Sequence, residues 1–123
     1  MRKLNLKNIL IIFAAILTLI TIFSIIDYFA HSLSDEYSVP GRYFANKMIF
    51  GTLIAFFSYL VVRNKSLVVK SLSVSALTSL LLQARYFIEG YSVEFVILFL
   101  LIHFLILLPS SIFIFWLLEK YSS

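Results

Sequence analysis

The chain has no cysteine, only three glycines and two prolines, and a single tryptophan among its 123 residues. Without cysteine it can form no disulfide, no thiolate metal site and no cysteine nucleophile. Charge is also scarce: acidic and basic residues together make up 13% of the chain, against 62% hydrophobic residues, and mean hydropathy is +1.03. Such a balance excludes an ordinary soluble domain. Familiar catalytic signatures are missing too. There is no glycine-rich phosphate loop and no His-Glu-x-x-His zinc motif. The segment Gly90-Tyr91-Ser92-Val93-Glu94 lacks the last glycine of a nucleophile elbow, and no serine has a lysine three positions later. No catalytic residue is therefore nominated, and no cofactor is expected.

What remains is apolar sequence in four stretches, separated by short charged gaps. A helix needs about 20 residues to cross the hydrocarbon of a bilayer, so four crossings consume nearly the whole chain. The expected fold is an all-α, four-transmembrane-helix bundle in one domain, with helices over 8–31, 42–62, 67–87 and 94–118. The first stretch begins like a signal peptide, but Asn8 to Ile26 is uncharged for 19 residues, longer than a typical apolar signal core. An uncleaved first helix is expected. Met48 to Val62 and Ser71 to Ala84 are too short to span alone. Arg42, Lys47, Lys70 and Arg85 must therefore sit near the interfaces, with their stems snorkelling.

The cations assign a side. Arg2, Lys3, Lys7, Arg63, Lys65, Lys70 and Lys120 lie with the termini and only Arg42, Lys47 and Arg85 lie opposite, seven against three. The positive-inside bias then predicts an up-down-up-down bundle with both termini cytoplasmic, in the cell membrane. It argues against an antiparallel dual-topology dimer. Net charge +4 serves this orientation; the cations form no basic stripe, so no nucleic-acid partner is expected. The expected partners are the lipid bilayer and either further copies of the chain or another membrane protein.

Small residues at helical spacing mark candidate packing seams: Ser71, Ser75 and Ser79 on the third helix, Gly51, Ala55 and Ser58 on the second, and Ala14, Thr18, Thr21 and Ser24 on the first. The serine ladder can also be read as a polar path for water or substrate. Three further sets carry candidate chemistry. Asp27, His31 and Asp35 are four apart and share one helix face if the first helix runs on, which would suit a divalent metal, with Glu36, Glu89 or Glu94 completing the shell. The alternative is simple pairing of these acids with Arg42, Lys47 and Arg85. Asn46, Lys47, Gln83, Arg85 and Asp27 form a second set, expected to converge on a pocket because each is costly in lipid unless satisfied by another. That pocket would hold a polar ligand or lipid headgroup, or serve only as a polar plug. Third, His103 lies near the middle of the fourth helix, as a proton-linked residue or a hydrogen-bonded structural one. Pro109, six residues on, is expected to kink that helix.

Three functions stay open at this point. One is a non-catalytic binding or assembly protein of the bilayer. A second is a small oligomeric transporter or channel using His103, and a third is an outer-face metal-dependent enzyme around Asp27 and His31.

Overall fold

The computed structural model describes residues 4–122; Arg2 and Lys3, counted above among the orienting cations, lie outside the described residues. Four helices account for almost all of it: α1 (Leu6–His31), α2 (Arg42–Val62), α3 (Leu67–Ile88) and α4 (Val93–Ser122). Each is long and apolar enough to cross a membrane. At about 1.5 Å per residue, the 21 residues of α2 reach about 31 Å, just the thickness of a hydrocarbon core. The composition and the four spans are those of a multi-pass membrane protein.

Local chemistry fixes the helix ends. Asn5 caps α1 by accepting from the Asn8 amide at 2.9 Å, Ser66 accepts from Val69 at the start of α3, and Ser92 from Phe95 at the start of α4. Between α3 and α4 the chain reverses through Gly90 at φ 91°, a left-handed conformation that glycine adopts without a Cβ penalty. α1 stops at His31, and a single 3-10 turn over Asp35–Tyr37 leads toward Pro40 and Gly41, ahead of α2.

The helices pack in a ring: α1 on α2, α2 on α3, α3 on α4, and α4 back on α1. Ile12, Ile16, Ile20 and Phe23 of α1, Ala55 and Tyr59 of α2, Val74 of α3, and Leu107 and Phe115 of α4 are all fully buried in the main core. Gly51 is where α2 comes close to its neighbours; a Cβ there would meet Ile20 at 3.4 Å and Leu82 at 3.8 Å. The α3 serines also face inward, and Ser75 bonds Ser111 of α4 at 3.2 Å. The small face expected to pack on α1 does not: Ala14, Thr18 and Thr21 are exposed and only Ser24 is buried. Large β-branched and aromatic side chains, Ile12, Ile16, Ile20 and Phe23, fill the interior instead. Pro109 lies inside an unbroken α4 and faces outward.

Candidate functional site

Near the end where α1 stops and α2 begins, four ionisable side chains from three helices meet in the interior. Asp27 and His103 are fully buried, and His31 and Lys47 are each 3% exposed. Asp27 and His31 come from successive turns of α1, Lys47 from the second turn of α2, and His103 from the middle of α4.

Lys47 is the hub. Its ammonium donates to Asp27 Oδ2 and lies 3.1 Å from His31 Nε2 and 3.5 Å from His103 Nε2. Aromatic faces surround it, with the Phe44 and Tyr86 ring centres at 5.1 and 5.2 Å, distances that favour a cation. The other carboxylate oxygen, Asp27 Oδ1, lies 2.9 Å from His103 Nε2 and 3.4 Å from His31 Nε2. At 2.9 Å the His103 contact is the closer of the two imidazole contacts to that oxygen.

The surroundings assign protons to both rings. His31 Nδ1 lies 2.7 Å from the Tyr37 carbonyl oxygen. A carbonyl only accepts, so Nδ1 carries a proton, and in the neutral ring Nε2 is left with the lone pair that Lys47 meets. His103 takes the opposite tautomer. A lone pair on Nε2 facing a carboxylate at 2.9 Å would be repulsive, so the proton sits there and Nδ1 is bare, buried and without a partner among the described residues. Phe99 stacks on His31 with centroids 3.9 Å apart and planes 2° from parallel, and Phe23 meets His103 edge-on at 5.1 Å. These contacts hold both rings in place.

Other residues singled out from the sequence stand apart. Gln83 is buried but donates to the Val96 carbonyl at 2.8 Å, bracing α3 against α4. Arg85 is 40% exposed at its side chain and pairs with Glu89 at 3.0 Å, over the Tyr43 ring. Asn46 lines a groove of about 330 Å³ between α2 and α3, together with Lys47, Arg85 and the apolar side chains of Phe50, Ile54 and Leu81. Asp35 is exposed in the 3-10 turn because α1 has already ended. It lies with His31, Ser34 and Ser38 around a polar recess of about 300 Å³. His31 therefore links that recess to the interior network.

The expected metal set Asp27, His31 and Asp35 is thus not assembled. Asp27, His31 and His103 do place ligand atoms within 4.8 Å of one another. The Lys47 ammonium already lies among those donors, bonded to one and within 3.5 Å of the others. A divalent ion would have to displace it, so the donor set does not fit a resident metal. Neither Phe99 nor the Tyr37 carbonyl is marked out by residue type alone, and Tyr86 reads from the sequence only as an aromatic anchor at the outer interface. The spacing Phe95–Phe99–His103, a strict four-residue repeat on one face of α4, was the available signal for the first. A backbone carbonyl in a connecting turn leaves none.

No protein-family model, curated protein or solved structure matches the chain. The function therefore has to be argued from this geometry.

Proposed function

We propose that this is a small multi-pass membrane protein that takes up and releases protons at the Asp27–His31–Lys47–His103 network, the working site of a proton-linked transporter or channel. The observation that carries the reading is the burial of four mutually contacting ionisable groups inside a bundle of apolar helices. Such groups are expensive in a bilayer and mark ion or proton pathways by default. Well-packed apolar residues in place of a buried ion pair are often as stable, so packing alone is a weak reason for them.

The network has the parts that proton exchange needs. Histidine titrates within the physiological range, and His31 opens onto the polar recess beside Asp35. The groups facing this center are Asp27 and His31 from α1, Lys47 from α2, Tyr86 from α3 and His103 from α4. An added proton on either imidazole is offset by the Asp27 carboxylate, whose two oxygens reach both rings and the ammonium.

In this reading the bundle runs up-down-up-down, with the network near the outer face and both termini cytoplasmic, in the cell membrane. Supporting the alternation, the end of α1 meets the start of α2 through Asp27 and Lys47, and Tyr43 and Tyr86 meet Tyr91. The seven-to-three division of cations supports the orientation.

Histidine-selective nitrogen NMR on the protein in lipid tests the reading. His31 is expected as the Nδ1–H tautomer and His103 as the Nε2–H tautomer, with at least one ring gaining a second proton between about pH 8 and 4. Replacing His103 by Gln should change the chemical shifts of the His31 ring, whose centre lies 6.2 Å away. Rings that keep one protonation state across this range would make the network a fixed polar plug.

One observation favours a second reading, binding without chemistry. The groove between α2 and α3 is apolar along Phe50, Ile54 and Leu81 and ends at Asn46 and Arg85, a form suited to a lipid chain or a partner helix in an accessory complex.

A further inference from the structure

Through the middle of the bundle α3 turns a line of hydroxyls inward. Ser71, Ser75 and Thr78 are fully buried and Ser79 is 1% exposed. In an apolar helix such side chains can satisfy themselves by bonding the carbonyl four residues back. Thr18 and Thr21, on the outward face of α1, do this at 2.9 and 2.7 Å. The inward ones do not. Ser75 donates across to Ser111 on α4, while the Ser71, Thr78 and Ser79 hydroxyls have no partner among the described residues.

Two further titratable groups without a partner among the described residues sit on the helices packed against this line: His103 Nδ1 on α4, eight residues or about two turns from Ser111, and the buried Tyr59 hydroxyl on α2. The Tyr59 ring lies 5.5 Å from the Lys70 ammonium, and Lys70 pairs with Glu119. Glu119 is 39% exposed at its side chain, so this pair reaches the opposite surface of the bundle.

We infer that the α3 hydroxyls, His103 and Tyr59 line a hydrated proton path joining the Asp27–Lys47 network to the Lys70–Glu119 pair, so that the cargo is the proton itself. The inference rests on the proton-exchange reading and extends it across the bundle. An unmet buried hydroxyl costs about 1–3 kcal/mol, and interior water is the usual remedy, each molecule making about three hydrogen bonds to such groups. Along a file of hydroxyls and waters, each oxygen accepts one proton and passes on another. One proton enters at Glu119 and one leaves at His31. His103 takes a proton from the file at Nδ1 as it gives the one on Nε2 to Asp27 Oδ1, 2.9 Å away. The ring's return to its starting tautomer closes the cycle with no oxidant or reductant. Single hydroxyls set among Val74, Leu107 and the rest of the apolar core offer no cage of oxygens for Na⁺ or K⁺, so the path is selective for protons.

The test is proton flux into liposomes carrying the full chain, read by an internal pH-sensitive dye under a potassium diffusion potential. Wild-type vesicles should acidify faster than empty ones. The Thr78→Val/Ser79→Ala variant should slow this about tenfold, a barrier increase of about 1.4 kcal/mol, while Thr18→Val, an outward hydroxyl already bonded to its own helix, should leave it unchanged. Histidine NMR on the same samples shows whether the network still exchanges protons; if the double variant loses its folded spectrum, Ser79→Ala alone carries the test. Wild-type flux no faster than empty vesicles, or unchanged flux in the hydroxyl variants, overturns the path while a titrating network stands. Histidines that do not titrate in the wild type would remove both readings together.

Discussion

Each end of the bundle holds a buried lysine paired with a carboxylate, and the two pairs are built differently. Lys47 and Asp27 are both hidden, at 3% and 0% exposure, with two imidazoles and two aromatic faces around them. Lys70 is as deeply buried as Lys47, yet its partner Glu119 is more than one-third exposed at its side chain. One pair is closed into a buried network that borders a polar recess at His31 and the α2–α3 groove at Lys47. The other is half open and anchors a cation that could otherwise stretch to the interface. A buried lysine alone thus says little; what surrounds the carboxylate separates a candidate site from an anchor.

Removing a partner should expose that difference most strongly. Asp27→Ala leaves the Lys47 ammonium buried without a counter-charge, and breaking a pair in this way costs about 3–5 kcal/mol. Unfolding in detergent or lipid should show a loss of that size. Replacing both members, Asp27→Leu with Lys47→Leu, should return the bundle to within about 1–2 kcal/mol of wild type, while His31 and His103 lose the charges that tune them. A double variant as unstable as Asp27→Ala would mean that the network holds the bundle together, which would weaken the functional reading.

At the open end, Glu119→Gln should cost only about 1 kcal/mol, because the half-open Glu119 side chain leaves the pair screened by solvent. The same unfolding measurement decides it. A cost equal to that of Asp27→Ala would erase the contrast between the ends.

Much of this contrast could be read from residue order, and the rest could not, for physical reasons. Four helices follow from long apolar runs between charges, since a bilayer admits few other solutions. Asp27, His31, Lys47 and His103 each stood out as an ionisable group in an apolar stretch. Their convergence was less visible: Lys47 is 20 residues from Asp27 and 56 from His103, and ring packing of four helices brings them together. Gln83 and Arg85 fit the same rule of costly polar groups but found local solutions, a carbonyl of α4 and Glu89 four residues on. Small residues misled on α1, because the exposed Thr18 and Thr21 are satisfied within their own helix and need no neighbour. Helix spacing shows which residues share a face, not which face turns inward.

The smallest expected effect lies beyond both buried pairs, at Glu89 past the end of α3. The Tyr43 hydroxyl donates to it and Arg85 pairs with it, and together they hold its carboxyl below the ordinary value of 4.5. A carboxyl depressed on folding stabilises the folded state above its unfolded value, and that contribution is lost as pH falls through the folded one. Stability should therefore decline on acidification below about pH 4.5, and Tyr43→Phe should flatten the decline by removing the main donor. Glu89 is exposed, so the effect should be small and should shrink further in high salt. An acid transition that is just as steep in Tyr43→Phe would shift the cause to the interior histidines and Asp27, giving the closed network the whole of the pH response.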